Sequence, residues 1–244
     1  MARSVRALAP AALVIAAAGL LAGCTSTQTE AARERINNAR ILASQLITRV
    51  DMATAENPPV TSATRVTVLD RGEAFVVSVV NSGPKPVSNL PLSIGYYSHG
   101  KADYLNARVG LPYFASHTAE IRGRSTLQWV YSTGTRLPSG ARPFAYLGSR
   151  ADPAVSVPPT AGLSTRPLRR EGSQWLVQVT NLTSIPQYQL PIYLYVREDG
   201  RIVGAGVSSL ADLSGGATST VRVAVIGAAS VGNVSVEAPA TIYN

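Results

Sequence analysis

Hydrophobic and polar positions alternate in short runs over most of this chain. Phe75, Val77 and Val79 stand at every second place, and Trp175, Val177 and Val179 do the same. Leu92, Ile94 and Tyr96 form another run of period two, matched by Ile192, Leu194 and Val196. Such alternation puts one set of side chains on one face of a strand and predicts half-buried β-strands. Gly, Pro and Ser interrupt these runs at short intervals, as turns between short strands require. One stretch before them has a different period. Ile36, Ala39, Ala43, Leu46 or Ile47, and Val50 recur at steps of three and four, with Arg, Asn and Gln between them. That spacing predicts one amphipathic helix over 30–52, with Thr29 suited to cap it. Pro58-Pro59 stops it and opens a linker to about residue 63. The apolar face of this helix packs on the following domain or on a partner in a short coiled coil.

The alternating runs are two copies of one unit. Phe75 to Lys101 aligns on Trp175 to Arg201 at an offset of 100 without a gap. Asn81 falls on Asn181, Pro86 on Pro186, Leu90-Pro91-Leu92 on Leu190-Pro191-Ile192, and Gly100-Lys101 on Gly200-Arg201. A later block aligns at an offset of 94, placing Leu127, Trp129 and Tyr131 on Val221, Val223 and Val225. On that alignment the first copy carries about six extra residues. Each Asn closes a strand, where its side chain can bond nearby backbone. Pro91 and Pro191 open the next strand, where a missing N–H costs least. Glu198-Asp199-Gly200-Arg201 predicts a hairpin turn, and Ser98-His99-Gly100-Lys101 fills its place in the first copy. Each copy has room for about seven short strands, and two stacked antiparallel sheets bury such alternating faces. The expectation is an all-β protein: two tandem β-sandwich domains, over 63–160 and 161–244, preceded by one amphipathic α-helix. Pro153 to Thr160, with Pro158-Pro159, reads as the linker.

Two resemblances follow from particular residues. Arg3 and Arg6 precede an apolar run from Ala7 to Ala22, and Leu21-Ala22-Gly23-Cys24 closes it with the only cysteine of the chain. A basic start, an apolar middle and small residues before a cut are the parts of a secretory signal. The apolar run is shorter than the roughly 20 residues a membrane span needs. The four closing residues resemble a bacterial lipobox. The resemblance implies that 1–23 is removed as a lipoprotein signal peptide and that Cys24 carries the lipid. Residues 24–62 then form the tether and helix. Stable anchoring takes more than one acyl chain, which lipoprotein modification supplies. The implied location is the cell membrane or outer membrane, lipid-anchored on the extracytoplasmic side. In the repeat, an aromatic-led strand ends in Asn, a second strand carries Leu194-Tyr195, and Asp199-Gly200 and Ile202-Val203 follow. This is similar to the FxLYD type of immunoglobulin-like module on bacterial envelope lipoproteins. It implies tandem immunoglobulin-like domains of mostly non-catalytic use.

Charge and chemistry narrow the function. The formal net charge is +8 at pH 7 and falls to +6 once Arg3 and Arg6 leave with the leader. The basic residues are scattered, with Arg169-Arg170 and the Arg122/Arg124 pair as small clusters. No basic stripe or nucleic-acid motif accompanies them, so nucleic acid is not an expected partner. With no cysteine beyond the anchor and Met52 the only methionine past the leader, soft-metal sites are not expected. Neither a metal site nor a cofactor is assigned. The sequence holds no Gly-x-Ser-x-Gly elbow, His-Glu-x-x-His pair or Walker loop. His99 reads as a solvated turn residue. His117 lies near Glu120, and Asp103 is another carboxylate of the first copy, but neither arrangement marks a catalyst. The expectation is a non-enzymatic protein.

The surface candidate comes from parity. If Ile192 and Leu194 face the core, Tyr193, Tyr195 and Arg197 face outward. Tyr and Arg are enriched at interfaces, so these three are the candidate partner-binding residues. The same stripe can stack on sugar rings, or be covered within the chain by the helix or the first domain. Two function classes follow. The first is an interaction or scaffold module with an envelope protein partner. The alternative is binding of cell-wall polysaccharide or another anionic envelope polymer.

Overall fold

The computed structural model describes residues 64–108, 110–148, 162–228 and 233–241. The leader, Cys24, the helix expected over 30–52 and the linker at 153–160 lie outside the described residues. What is described is nearly all β, in several antiparallel sheets, with two short 3-10 turns and no α-helix. The first unit has β1 (Thr64–Leu69), β2 (Ala74–Asn81), β3 (Leu92–Ser98), β4 (Lys101–Tyr104), β5 (Ser125–Ser132) and β6 (Arg142–Leu147). They form two sheets, ordered β1-β2-β5 and β4-β3-β6. The second unit has β7 (Leu163–Glu171), β8 (Gln174–Asn181), β9 (Gln187–Glu198), β10 (Arg201–Leu213), β11 (Thr218–Ala224), β12 (Ile226–Gly227) and β13 (Asn233–Glu237). Its sheets are ordered β11-β8-β7 and β12-β10-β9-β13.

Alternation builds both cores. Phe75, Val77 and Val79 of β2 are fully buried with Leu92 and Ile94 of β3 and Trp129 of β5. Val177 and Val179 of β8 are buried with Ile192, Leu194 and Val196 of β9. Burial of this kind contributes about 25 cal/mol per Å² of apolar surface removed from water.

The repeat has a local physical basis. Asn81 and Asn181 are both buried where their strands end. The Nδ2 of Asn81 donates to Lys85 O at 2.8 Å, and that of Asn181 to Ile185 O at 2.8 Å. Each Oδ1 accepts the backbone N–H two residues on, Gly83 and Thr183, both at 3.1 Å. Each Nδ2 also reaches a distant carbonyl, Ile121 O or Leu213 O, and ties the turn to another part of its unit. The hairpins match as well. His99 and Gly100 have φ of 50° and 75°, and Asp199 and Gly200 have 48° and 77°. Two successive positive φ values give a turn whose twist suits the flanking strands.

Three sequence expectations change in detail. The ladders pair Val77 with Trp129 and Val177 with Val221. Trp129 therefore corresponds to Val221, two residues from the place the offset of 94 gave, and the extra length is eight residues. The parity is unchanged, so the same faces are buried. The extra residues of the first unit lie before β5. There Leu92 N–H donates to Ser116 O, and Asn106 bonds Leu92 O, Ala115 O and Ile94 N–H. Pro191 does not open a strand. It lies inside β9, opposite Ser209 of β10, at a point that β13 no longer covers on the other edge, where a missing N–H is tolerated. Third, β2 is buried on both faces over its first half, Ala74 to Val77. Val76 is fully buried although the alternation turns it away from the first core. Its cover is the second unit.

Candidate functional site

The sheet β12-β10-β9-β13 presents one face to its own core and the other to the first unit. Parity on β9 runs as expected: Leu190, Ile192, Leu194 and Val196 join the second core. Tyr193 and Tyr195 point the other way, and there they join the core cluster of the first unit, together with Ala205 of β10. Tyr193 keeps 1% of its surface exposed and Tyr195 keeps 7%. These tyrosines are therefore not an exposed partner-binding stripe. The first unit covers them, because Val76 of β2 and Val130 of β5 turn an apolar surface toward them. Arg197 lies at the margin. Its guanidinium sits over the Tyr195 ring, 5.1 Å from the centroid, and an Nη1–H donates to Gly200 O at 3.4 Å.

The junction carries one buried polar network. The Tyr195 hydroxyl donates to Glu237 of β13, and Gln128 N–H of β5 donates to the other carboxylate oxygen at 3.2 Å. Ser78 Oγ donates to Gln128 Oε1 at 2.6 Å. Burial pushes the Glu237 carboxyl above the usual carboxylate range, although Tyr195, Gln128 and Arg197 pull it back. Burial and then the bond to Glu237 push the Tyr195 hydroxyl up to about 12. Burial also raises the Tyr193 hydroxyl, which has no hydrogen-bond partner. Beside this network lies a cleft of about 330 Å³ between the units, lined by Glu120, Arg122, Thr126, Thr165 and residues 236–240. Glu120 N–H donates to Ala240 O at 3.1 Å, so the carboxy-terminal segment is tied across it.

The other titratable candidates do not meet there. His117 is not part of the cleft lining. Its ring stacks on Tyr113 with centroids 4.2 Å apart, and Nδ1 is 3.0 Å from Ser116 Oγ. His99 sits exposed in its turn, 3.0 Å from Ser98 Oγ. Asp103 accepts from the Tyr96 hydroxyl at 2.7 Å, on an exposed hairpin. Among the described residues no three His, Cys, Asp or Glu side chains are grouped to hold a metal ion.

A second aromatic face was not singled out from the sequence. It is the outward side of sheet β4-β3-β6. Ser93, Gly95 and Tyr97 of β3 pair with Tyr146, Phe144 and Arg142 of β6, and Gly95 also pairs with Tyr104 of β4. The Phe144 ring lies over Gly95, where a Cβ would come within 2.5 Å of Cζ. Around it stand Tyr97 at 4.8 Å, Tyr146 at 4.8 Å and Tyr104 at 5.3 Å between ring centroids. The Tyr97 and Tyr146 hydroxyls share a hydrogen bond, which is the main cause raising Tyr146 to about 12. Phe144 is buried, the three tyrosines are half-buried, and Arg142 is exposed at the margin. The available signal was the spacing of Phe144 and Tyr146, opposite a glycine that admits a ring. No protein-family model matches the chain, and no curated protein matches it.

Proposed function

We propose that this chain is a lipid-anchored envelope protein that acts as a non-enzymatic interaction or scaffold module. Leu21-Ala22-Gly23-Cys24 after an apolar leader supports the anchor, with Cys24 lipidated and 1–23 removed. Two repeated units, each with two antiparallel sheets around its own core, support reading them as tandem immunoglobulin-like sandwiches, near 63–160 and 161–244. The observation that carries the scaffold reading is the buried junction at Tyr193 and Tyr195. A continuous apolar face and a buried Tyr195–Glu237–Gln128 network hold the two units as one body. Such a body presents its remaining faces in a fixed arrangement to one another. The test is crosslinking of the full-length protein in cells, then affinity capture and mass spectrometry, with Cys24→Ala beside it. A discrete envelope partner, lost when Cys24→Ala leaves the membrane fraction, is the expected result. Absence of any crosslinked protein counts against this reading.

The second reading is binding of a cell-wall polysaccharide or anionic envelope polymer. The specific observation in its favour is the aromatic face of Tyr97, Tyr104, Phe144 and Tyr146, with Arg142 at its margin.

A further inference from the structure

We infer that the outward face of sheet β4-β3-β6 is a saccharide platform for an anionic polysaccharide, an inference that rests on the polymer-binding reading above. The internal repeat gives the first argument. By the offset of 100, Ser93, Gly95 and Tyr97 occupy the places of Tyr193, Tyr195 and Arg197. In the second unit this face is used up, because it is buried against the first. The first unit's counterpart is built differently. Its central ring, Phe144, is let down onto Gly95, and three tyrosines surround it while keeping part of their surface accessible.

Chemistry selects the occupant. A protein-docking face such as that of Tyr193 and Tyr195 meets aliphatic Val76 and Val130 and keeps little surface in water. The β4-β3-β6 face instead offers rings with polar tips, apolar in their planes and hydrogen-bonding at their edges. A pyranose ring has the complementary division, with C–H groups on its faces and hydroxyls around its rim. Charge decides between neutral and anionic polymers. The outward positions of this sheet are Ser93, Gly95, Tyr97, Ala102, Tyr104, Arg142, Phe144 and Tyr146, in which Arg142 is the one charge and no carboxylate opposes it. A guanidinium pairs with a carboxylate through two parallel hydrogen bonds, so a uronic-acid polymer suits the margin of the platform. Tyrosine faces then hold successive sugar rings, and Arg142 reads their acid groups.

Electrophoresis of the full-length protein in detergent, through gels holding alginate or the neutral glucan laminarin, tests this. A basic protein drags on any polyanion, so the variants decide the outcome. The wild type is expected to be retarded by alginate and more weakly by laminarin. Tyr97→Ala with Tyr104→Ala is expected to weaken both on the order of tenfold, the loss typical of anchoring aromatic residues. Arg142→Gln, at an exposed position that does not endanger folding, is expected to weaken alginate binding alone. If the wild type is retarded by neither polymer, the platform and the polymer reading fall together. If all three proteins are retarded equally, polymer binding stands but this face is not its site.

Discussion

At the residue scale, the two buried tyrosines of β9 make opposite demands on their hydroxyls. The Tyr195 hydroxyl donates to Glu237, whereas that of Tyr193 is buried without a partner. A buried polar group left without its bond costs about 1–3 kcal/mol. Tyr195→Phe removes a donor from a buried carboxylate and is expected to lower stability by about that amount. Tyr193→Phe removes only the orphan and is expected to leave stability unchanged or raise it by up to about 1 kcal/mol. Urea unfolding of the two variants beside the wild type checks both signs. Glu237 adds a pH dependence. Its folded carboxyl binds a proton more tightly than the ordinary carboxylate, whose value is near 4.5. Its contribution to stability is therefore full below that value and lost as pH rises through the raised one. Other carboxylates have their own slopes, so the measurement is the difference between wild type and Glu237→Gln across pH 4 to 8. The variant is expected to gain relative stability as pH rises, and a constant difference would sink the assignment. Tyr195 has its own window at the alkaline end. With its hydroxyl pushed up to about 12, its contribution persists to the ordinary value of 10.0 and is lost between the two.

Among the elements, the repeat is most strongly expressed where short-range chemistry dictates geometry. Asn181 makes a turn with Thr183 N–H and holds Ile185 O and Leu213 O, all while fully buried. Asn181→Ala leaves those backbone groups unpaired and is expected to cost on the order of 3 kcal/mol, read from denaturant midpoints. Asn81→Ala is expected to do the same in the first unit, since Lys85 O, Ile121 O and Arg122 O depend on it. These features were legible in the sequence because each depends on residues within a few positions: alternation on β2 and β8, an Asn at the strand end, Asp199-Gly200 at the hairpin. The strand β7 was less legible. Its segment reads Leu-Ser-Thr-Arg-Pro-Leu-Arg-Arg-Glu, and a register shift between Pro167 and Arg169 breaks its alternation. A bulge moves every later side chain to the other face, so period two fails there as a signal. The alignment of β5 on β11 was off by two for a related reason. Loop length is free where the chain runs over the surface, and an even slip preserves the faces. The candidate site was legible only by half. Parity turned Tyr193, Tyr195 and Arg197 outward from their own core, which is where they point. Parity says nothing about what lies across that face, and the partner surface at Val76 and Val130 is more than sixty positions away in sequence. The aromatic face escaped notice because its rings come from β3, β4 and β6, with a glycine at the centre of the pattern.

For the whole molecule, the junction decides whether two units behave as one. Interfaces between domains of a chain are commonly polar enough to permit independent motion. This one is different in kind: Tyr193, Tyr195 and Ala205 enter the first unit's own core cluster, and Val76 of β2 is fully buried on the side that faces them. Unfolding the second unit alone would expose that surface and strip Glu237 from Gln128 N–H. The first unit would then keep an apolar face in water. A single calorimetric transition is therefore expected for the full-length protein, with calorimetric and van't Hoff enthalpies in agreement. Replacing a large buried ring by alanine costs about 3–5 kcal/mol. Tyr193→Ala combined with Tyr195→Ala is expected to concentrate that loss at the junction and to resolve the transition into two. Two transitions already in the wild type would mean that the buried face does not couple the units, and the scaffold reading would lose the observation that carries it. One transition in both proteins, shifted down together, would mean that coupling runs elsewhere, through the Glu120–Ala240 tie across the cleft. The separation of these outcomes matters for the outer faces as well. Only if the units unfold as one body does the aromatic face of β4-β3-β6 keep a constant position relative to the second unit.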